Sequence, residues 1–191
     1  MERSPSGLWR LLGKQVDPQG SRGFESHSLR MKKATNTIKC RSWDGGFISI
    51  PEEKLELRVS AYGIIFNDEE LLVMKQGERS QFSFPGGGIN AGEYIKDGLM
   101  REIREETGLD VTVKEMLFFK EDMFFYNPLN QAIHGVLLFF RCETSGIALK
   151  AMNKETEVEI PLWTDYKDLN NDSFFGVNAE VFDQLKSYIN D

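Results

Sequence analysis

Hydrophobic positions change rhythm several times along the chain, and each change marks an element. From Leu55 the run Leu55-Glu56-Leu57-Arg58-Val59-Ser60-Ala61-Tyr62-Gly63-Ile64-Ile65-Phe66 alternates and then becomes continuously apolar, as a strand entering a core would. Asn67-Asp68-Glu69-Glu70 supplies a turn and Leu71 to Lys75 a return strand, which together predict a hairpin. Phe82-Ser83-Phe84-Pro85 then leads by an extended segment into Gly86-Gly87-Gly88. The period next lengthens to four. Ile95, Leu99 and Ile103 line one side of a helix predicted from Tyr94 to Thr107, and Gly108 suits the left-handed geometry of its end. Two strand-like runs follow, Val111 to Phe125 and Ile133 to Cys142, parted by the turn signal Asn127-Pro128-Leu129-Asn130. A third run, Val158 to Trp163, precedes an amphipathic helix from about Ala179 to Ile189. Strands flanking a central helix, with a second helix at the end, predict an α/β fold in which a sheet is sandwiched between helices. The sequence contains no internal repeat. Gly98 in mid-helix costs about 1 kcal/mol relative to Ala, so close packing against the sheet is expected there.

With 191 residues the chain is long enough for one well-filled domain and short for two. Residues 55–191 are read as that domain and residues 31–54 as a segment leading into it. Residues 1–30 differ: Ser, Gly, Pro and Arg recur without apolar periodicity, and five Lys or Arg face three acidic residues. They are expected to be disordered or a non-native extension, with Met31-Lys32-Lys33 as the beginning. Gly23-Phe24-Glu25-Ser26-His27 is what translation of a transfer-RNA T-arm would give. No apolar run approaches a bilayer's thickness, the strongest being Val136 to Phe140. Cys40 and Cys142 show neither zinc spacing nor a disulfide framework, so a reducing cytoplasm is the expected location. The formal net charge of -7 leaves no basic stripe for a nucleic-acid backbone. It also repels phosphate-bearing ligands unless a divalent cation intervenes.

Candidate chemistry lies on the predicted central helix. Glu102, Glu105 and Glu106 stand at i, i+3 and i+4, within an arc of roughly 100°, so their carboxylates project from one side. Such a cluster is ordinarily a solvated face with ion pairs such as Arg101 to Glu105. The preceding Gly86-Gly87-Gly88 alters that reading, because glycines let a ligand approach the main chain, whose carbonyls can join the carboxylates. Magnesium commonly takes a few carboxylates together with water and substrate phosphate oxygens.

Residues 87–109 resemble the Nudix box, G-x5-E-x7-R-E-U-x-E-E-x-G-U, in which U is a bulky aliphatic residue. Every specified position is filled, by Gly87, Glu93, Arg101, Glu102, Ile103, Glu105, Glu106, Gly108 and Leu109. Ordinary residue frequencies would produce this on the order of once in 10^9 to 10^10 starting points. The resemblance implies a Nudix-like α/β fold with a mixed β-sheet between helices. It implies magnesium, with manganese as a substitute, on Gly86, Glu102, Glu105 and Glu106. It further implies Glu102, Arg101 and Glu105 as the catalytic residues, with Arg101 orienting the carboxylates, and Gly87 and Glu93 as support of the site.

The activity so implied is magnesium-dependent hydrolysis of a diphosphate linkage in a nucleoside diphosphate derivative, a nucleoside triphosphate or related nucleotide. Dinucleoside polyphosphates, ADP-ribose and nucleotide sugars are the alternatives. A nucleotide sensor without turnover and a small-diphosphate isomerase are the readings from other classes. Glu102 is the first candidate for the general base, followed by Glu155, Glu157 and Glu159, then Glu121 and Asp122. Tyr126 and Trp163 are the candidates for substrate contact. Phe84, Phe124 and Phe125 offer further rings, though aromatic residues serve cores first. His134 is read as a packed or surface residue. The expected partner is a small nucleotide-like diphosphate, with neither nucleic-acid polymer nor membrane, and a homodimer is allowed for.

Overall fold

The computed structural model describes residues 36–76, 80–150, 153–154 and 157–190. Among them, ten strands form one continuous sheet. They are β1 (Thr37–Ser42), β2 (Phe47–Pro51), β3 (Leu55–Asn67), β4 (Glu70–Gln76), β5 (Phe82–Ser83), β6 (Gly86–Gly88), β7 (Val111–Tyr126), β8 (Gln131–Thr144), β9 (Asn153–Lys154) and β10 (Glu157–Asp165). Their order is β2-β1-β7-β8-β3-β4-β10-β9, with β5 on β4 and β6 on β3. The sheet is mixed: β3 runs parallel to β8, whereas β7 runs antiparallel to it.

The continuous apolar runs are strands buried on both faces, and consecutive residues go to opposite sides. Ile64, Leu71, Val73 and Phe139 join the core beneath α2 (Val177–Asn190), around Val181, Phe182 and Leu185. Their neighbours Ile65, Leu72 and Phe140 join the core beneath α1 (Ile95–Thr107), around Leu99 and Ile103. Each such side chain contributes about 1.5–3 kcal/mol on burial. The α2 layer is aromatic, with Phe174 stacked on Phe182 at 4.6 Å and on Phe84 at 5.2 Å. Gly63 sets the seat of α1, since a Cβ there would lie 2.7 Å from Ile103 Cδ1.

Three features differ from the expectation. The segment 31–54 contains a hairpin, β1 and β2, and β1 pairs in parallel with the end of β7 through Arg41↔Phe124 and Ser42↔Phe125. Its alternation is weak because only Cys40 and Ser42 of β1 are buried. Ile95 begins the expected apolar stripe yet is 37% exposed, leaving Leu99 and Ile103 as the buried anchors. Gly98 makes room for the loop before the helix rather than for the sheet: a Cβ there would stand 2.8 Å from both Glu93 Oε2 and Ile89 Cδ1.

Candidate active site

The glycine loop is fastened to β3 before it meets the helix. Gly86 and Gly87 lie opposite Tyr62 and Ala61, the Gly63 N–H donates to Pro85 O at 2.8 Å, and the Ile89 N–H donates to Val59 O at 2.9 Å. Gly86 has φ 131°, and a Cβ there would run into the Ala61 backbone, so only glycine fits. Its N–H donates to Glu106 Oε2 at 2.8 Å, tying the loop to the last turn of α1. At Gly87 a Cβ would press on the Glu102 carboxylate at 3.0 Å.

Arg101 holds the acidic groups together. Its Nε and Nη2 donate to the two oxygens of Glu93 at 2.8 and 3.0 Å. Nη1 donates to Glu102 Oε1 at 2.8 Å and to Glu105 Oε2 at 3.3 Å, and Nη2 also reaches Gly88 O at 3.4 Å. A planar guanidinium with five N–H donors can span that set, whereas an ammonium cannot. The Arg101 hydrogen bonds, with the Asn90 N–H, draw the Glu93 carboxyl down from 4.5 to about 2. Hydrogen bonds to Glu93 and then to Glu102 raise the Arg101 guanidinium further above its usual range. Its positive charge offsets the repulsion that i, i+3, i+4 carboxylates would otherwise suffer.

A cavity of about 370 Å³ opens beside the loop. Gly86, Gly87, Gly88, Glu102 and Glu106 line one end; Trp43, Asp122, Phe124 and Phe175 line the other; Arg58, Ser60 and Gly135 lie on the strands between. The carboxylates differ in setting: the Glu106 residue is 6% exposed, whereas the Glu105 side chain is 44% exposed. Among the described residues, no three His, Cys, Asp or Glu side chains already surround a single point. The donors present are carboxylates and peptide carbonyls, the oxygen set that a hard divalent cation takes.

The other candidates are placed as follows. Tyr126 stands behind the aromatic end, its ring 5.2 Å from Trp43 and 6.5 Å from Phe124, and does not line the cavity. Trp163 lies away from it, packed on the α1 core, with its indole N–H donating to Ile147 O at 2.9 Å. Phe84 and Phe124 line the cavity, whereas Phe125 belongs to a small core with Cys40 and Ile50. His134 pairs with Glu121 at 3.2 Å, on residues that alternate away from the cavity-lining ones. Asp122 lies on the wall, and burial pushes its carboxyl above the usual range against the opposing pull of Arg41. Glu155 lies outside the described residues, as do the side chains of Glu157 and Glu159. Trp43, Arg58 and Phe175 were not among the candidates. Trp43 sits in the segment set aside as a lead-in, and Phe175 just precedes the final helix, so neither carried a periodic signal.

A NUDIX domain model matches residues 56–185. The chain is 32% identical to Nudix hydrolase 2 of Arabidopsis thaliana over 61% of this chain and 41% of that protein. It is 31% identical to the ADP-ribose pyrophosphatase of Methanocaldococcus jannaschii over 59% of this chain and 63% of that one. It thus spans less than two thirds of either relative's length. The fold is shared with the MutT NUDIX hydrolase from Burkholderia pseudomallei, at TM-score 0.52 and 20% identity over 68% of this chain and 98% of that one. It is likewise shared with the MutT protein from Methanosarcina mazei Go1, at TM-score 0.51 and 20% identity over 70% and 97%. Since the domain match runs from β3 into α2 and contains the glycine loop and the α1 glutamates, the chain belongs to the Nudix family.

Proposed function

We propose that the chain hydrolyses a diphosphate linkage in a nucleotide derivative with the help of magnesium, or manganese in its place. The observation that carries this is the shared cavity end at which Glu106 meets the Gly86 peptide and Glu102 lies against Gly87, with Arg101 bridging Glu102 to Glu93 and Glu105. Gly86, Glu102, Glu105 and Glu106 would hold the cation through oxygen. Bound there, magnesium would neutralise the phosphate oxygens and lower the barrier to attack by water. Glu102, held by Arg101 and close to Gly87, would accept a proton from the attacking water. The water oxygen bonds to one phosphorus while the bridging P–O bond breaks toward the departing phosphate, so both products carry phosphate. Gly87 and Glu93 keep loop and helix in register.

A nucleoside triphosphate or related nucleotide is the proposed substrate, and ADP-ribose gains support from the named activity of the archaeal relative. Dinucleoside polyphosphates and nucleotide sugars belong to the same class. Both cysteines, Cys40 and Cys142, are buried free thiols, which suits a reducing cytoplasm. Among the described residues no helix is long and apolar enough to cross a membrane. A second copy of the chain is the one macromolecular partner this reading allows. The test is incubation with magnesium and a panel of these four substrate classes. Turnover to two phosphate-bearing products, abolished by a chelator, is the expected result. No turnover on any class would contradict the proposal.

A further inference from the structure

The middle and far end of the cavity carry a pattern that the diphosphate site does not use. Register places Arg58 of β3 opposite Gly135 of β8, and Gly135 opposite Asp122 of β7. All three line the cavity, so a cation, a residue without a side chain and an acid form one row across its floor. Adjacent strands lie about 4.8 Å apart, which gives the row a span of roughly 10 Å.

Each member has a reason to be where it is. Arg58 lies against the glycine loop, where a Cβ on Gly88 would come within 2.5 Å of its guanidinium, so the bare loop leaves Arg58 its place. Arg58 is exposed and, among the described residues, enters no ion pair or hydrogen bond. At Gly135 a Cβ would meet nothing closer than 3.5 Å, so packing does not demand glycine; its effect is to keep the floor clear. Asp122 is 19% exposed and lies 3.6 Å from Arg41 Nε, too far for a hydrogen bond, and that buried nitrogen has no other partner. Beside Asp122 the rings of Trp43, Phe124 and Phe175 meet edge to face at 5.2 to 6.2 Å.

We propose that this row sets the direction and kind of substrate. The phosphate end lies on Arg58 beside the glycine loop, the middle of the molecule crosses Gly135, and a nucleobase rests on the aromatic wall with an N–H edge donated to Asp122. The inference rests on the diphosphate-hydrolase reading and deepens it. The reverse orientation would leave the base among the Glu102 and Glu106 carboxylates and the phosphate facing the aromatic rings and Asp122, away from Arg58. An ionised carboxylate only accepts, so Asp122 favours bases that offer it donors, foremost those with an exocyclic amino group.

The experiment compares kcat/KM for one diphosphate framework carrying guanine, adenine, cytosine, uracil or no base, in the wild type and in Asp122→Asn, Arg58→Gln and Gly135→Leu. Only variants that keep the wild-type urea midpoint are scored. Asp122→Asn should shrink the preference for amino-bearing over baseless substrate by about 10-fold or more. Arg58→Gln should raise KM for every member alike. Gly135→Leu should penalise base-bearing members most. Calorimetry with the corresponding nucleoside monophosphates reads the same preferences without turnover, which separates failure of this inference from failure of the hydrolase reading. An unaltered base preference in Asp122→Asn, by either readout, would overturn the proposal. So would an Arg58→Gln effect confined to base-bearing ligands.

Discussion

Beside the glycine loop, Glu93, Arg101, Glu102 and Glu105 come from one short stretch and are joined through Arg101 by charge-assisted hydrogen bonds, while Glu106 from the same stretch accepts from the Gly86 N–H. At the far end, Trp43, Asp122, Phe124 and Phe175 arrive from three separate segments and meet largely through ring packing. The first end depends on charge geometry held by one arginine, and the second on the sheet bringing distant strands side by side. A change at the first end should therefore strike turnover with little cost in stability. Removal of a ring at the second should alter binding and stability together.

The largest effect is expected from Glu106→Gln. The amide oxygen can still accept from the Gly86 N–H, so the urea midpoint should barely move, while loss of an anionic oxygen donor lowers kcat by roughly 100-fold or more. Equal losses of stability and turnover would mean that Glu106 is merely a structural tie. Arg101→Lys comes next, at about 10-fold to 100-fold in kcat/KM, because one ammonium cannot span Glu93, Glu102 and Glu105. Steady-state kinetics that matched the wild type would show that the arginine clamp is not needed.

Trp43→Ala probes the other end, with KM rising about 5-fold to 10-fold, kcat nearly unchanged and the unfolding free energy falling by about 1–3 kcal/mol. A kcat loss as large as that of Glu106→Gln would erase the distinction between the ends. The smallest effect concerns acid. Glu93 titrates lower in the folded chain than its ordinary 4.5, so its contribution to stability is complete above about pH 4.5 and disappears as pH falls toward 2. Urea midpoints measured from about pH 5 to pH 2 should fall less steeply in Glu93→Gln; an identical slope would show that the pairing with Arg101 contributes nothing.

Much of the fold was legible because its signals are local. The alternation entering Ile64 and Ile65, the four-residue period of Leu99 and Ile103, and the end at Gly108 each lie within a few residues of one another. Gly108, at φ 76° with its N–H on Arg104 O, closes α1 as that reading requires. The acidic end was legible for the same reason, since three glutamates on one helix face need no tertiary contact to be neighbours. The hairpin of β1 and β2 was less legible: Asp44-Gly45-Gly46 is a turn signal, but the runs beside it alternate only weakly, and the parallel pairing of β1 with β7 leaves no local trace. Trp43 and Phe175 were hidden likewise: their rings lie 5.2 Å apart although most of the chain separates them in sequence. Trp163 shows the converse, since aromatic character alone does not say which side of a sheet a ring will face, while Tyr126 shares the face of Phe124 but lies one step beyond the cavity.

The central claim is that Glu102, Glu105 and Glu106, with the Gly86 peptide, take up a divalent cation. Titration calorimetry with manganese, on the wild type and on a Glu102→Gln, Glu105→Gln, Glu106→Gln triple variant of unchanged urea midpoint, tests it directly. Saturable uptake by the wild type that vanishes in the triple variant is the predicted result. Equal uptake by both proteins, or none by the wild type even with a nucleotide present, would contradict it.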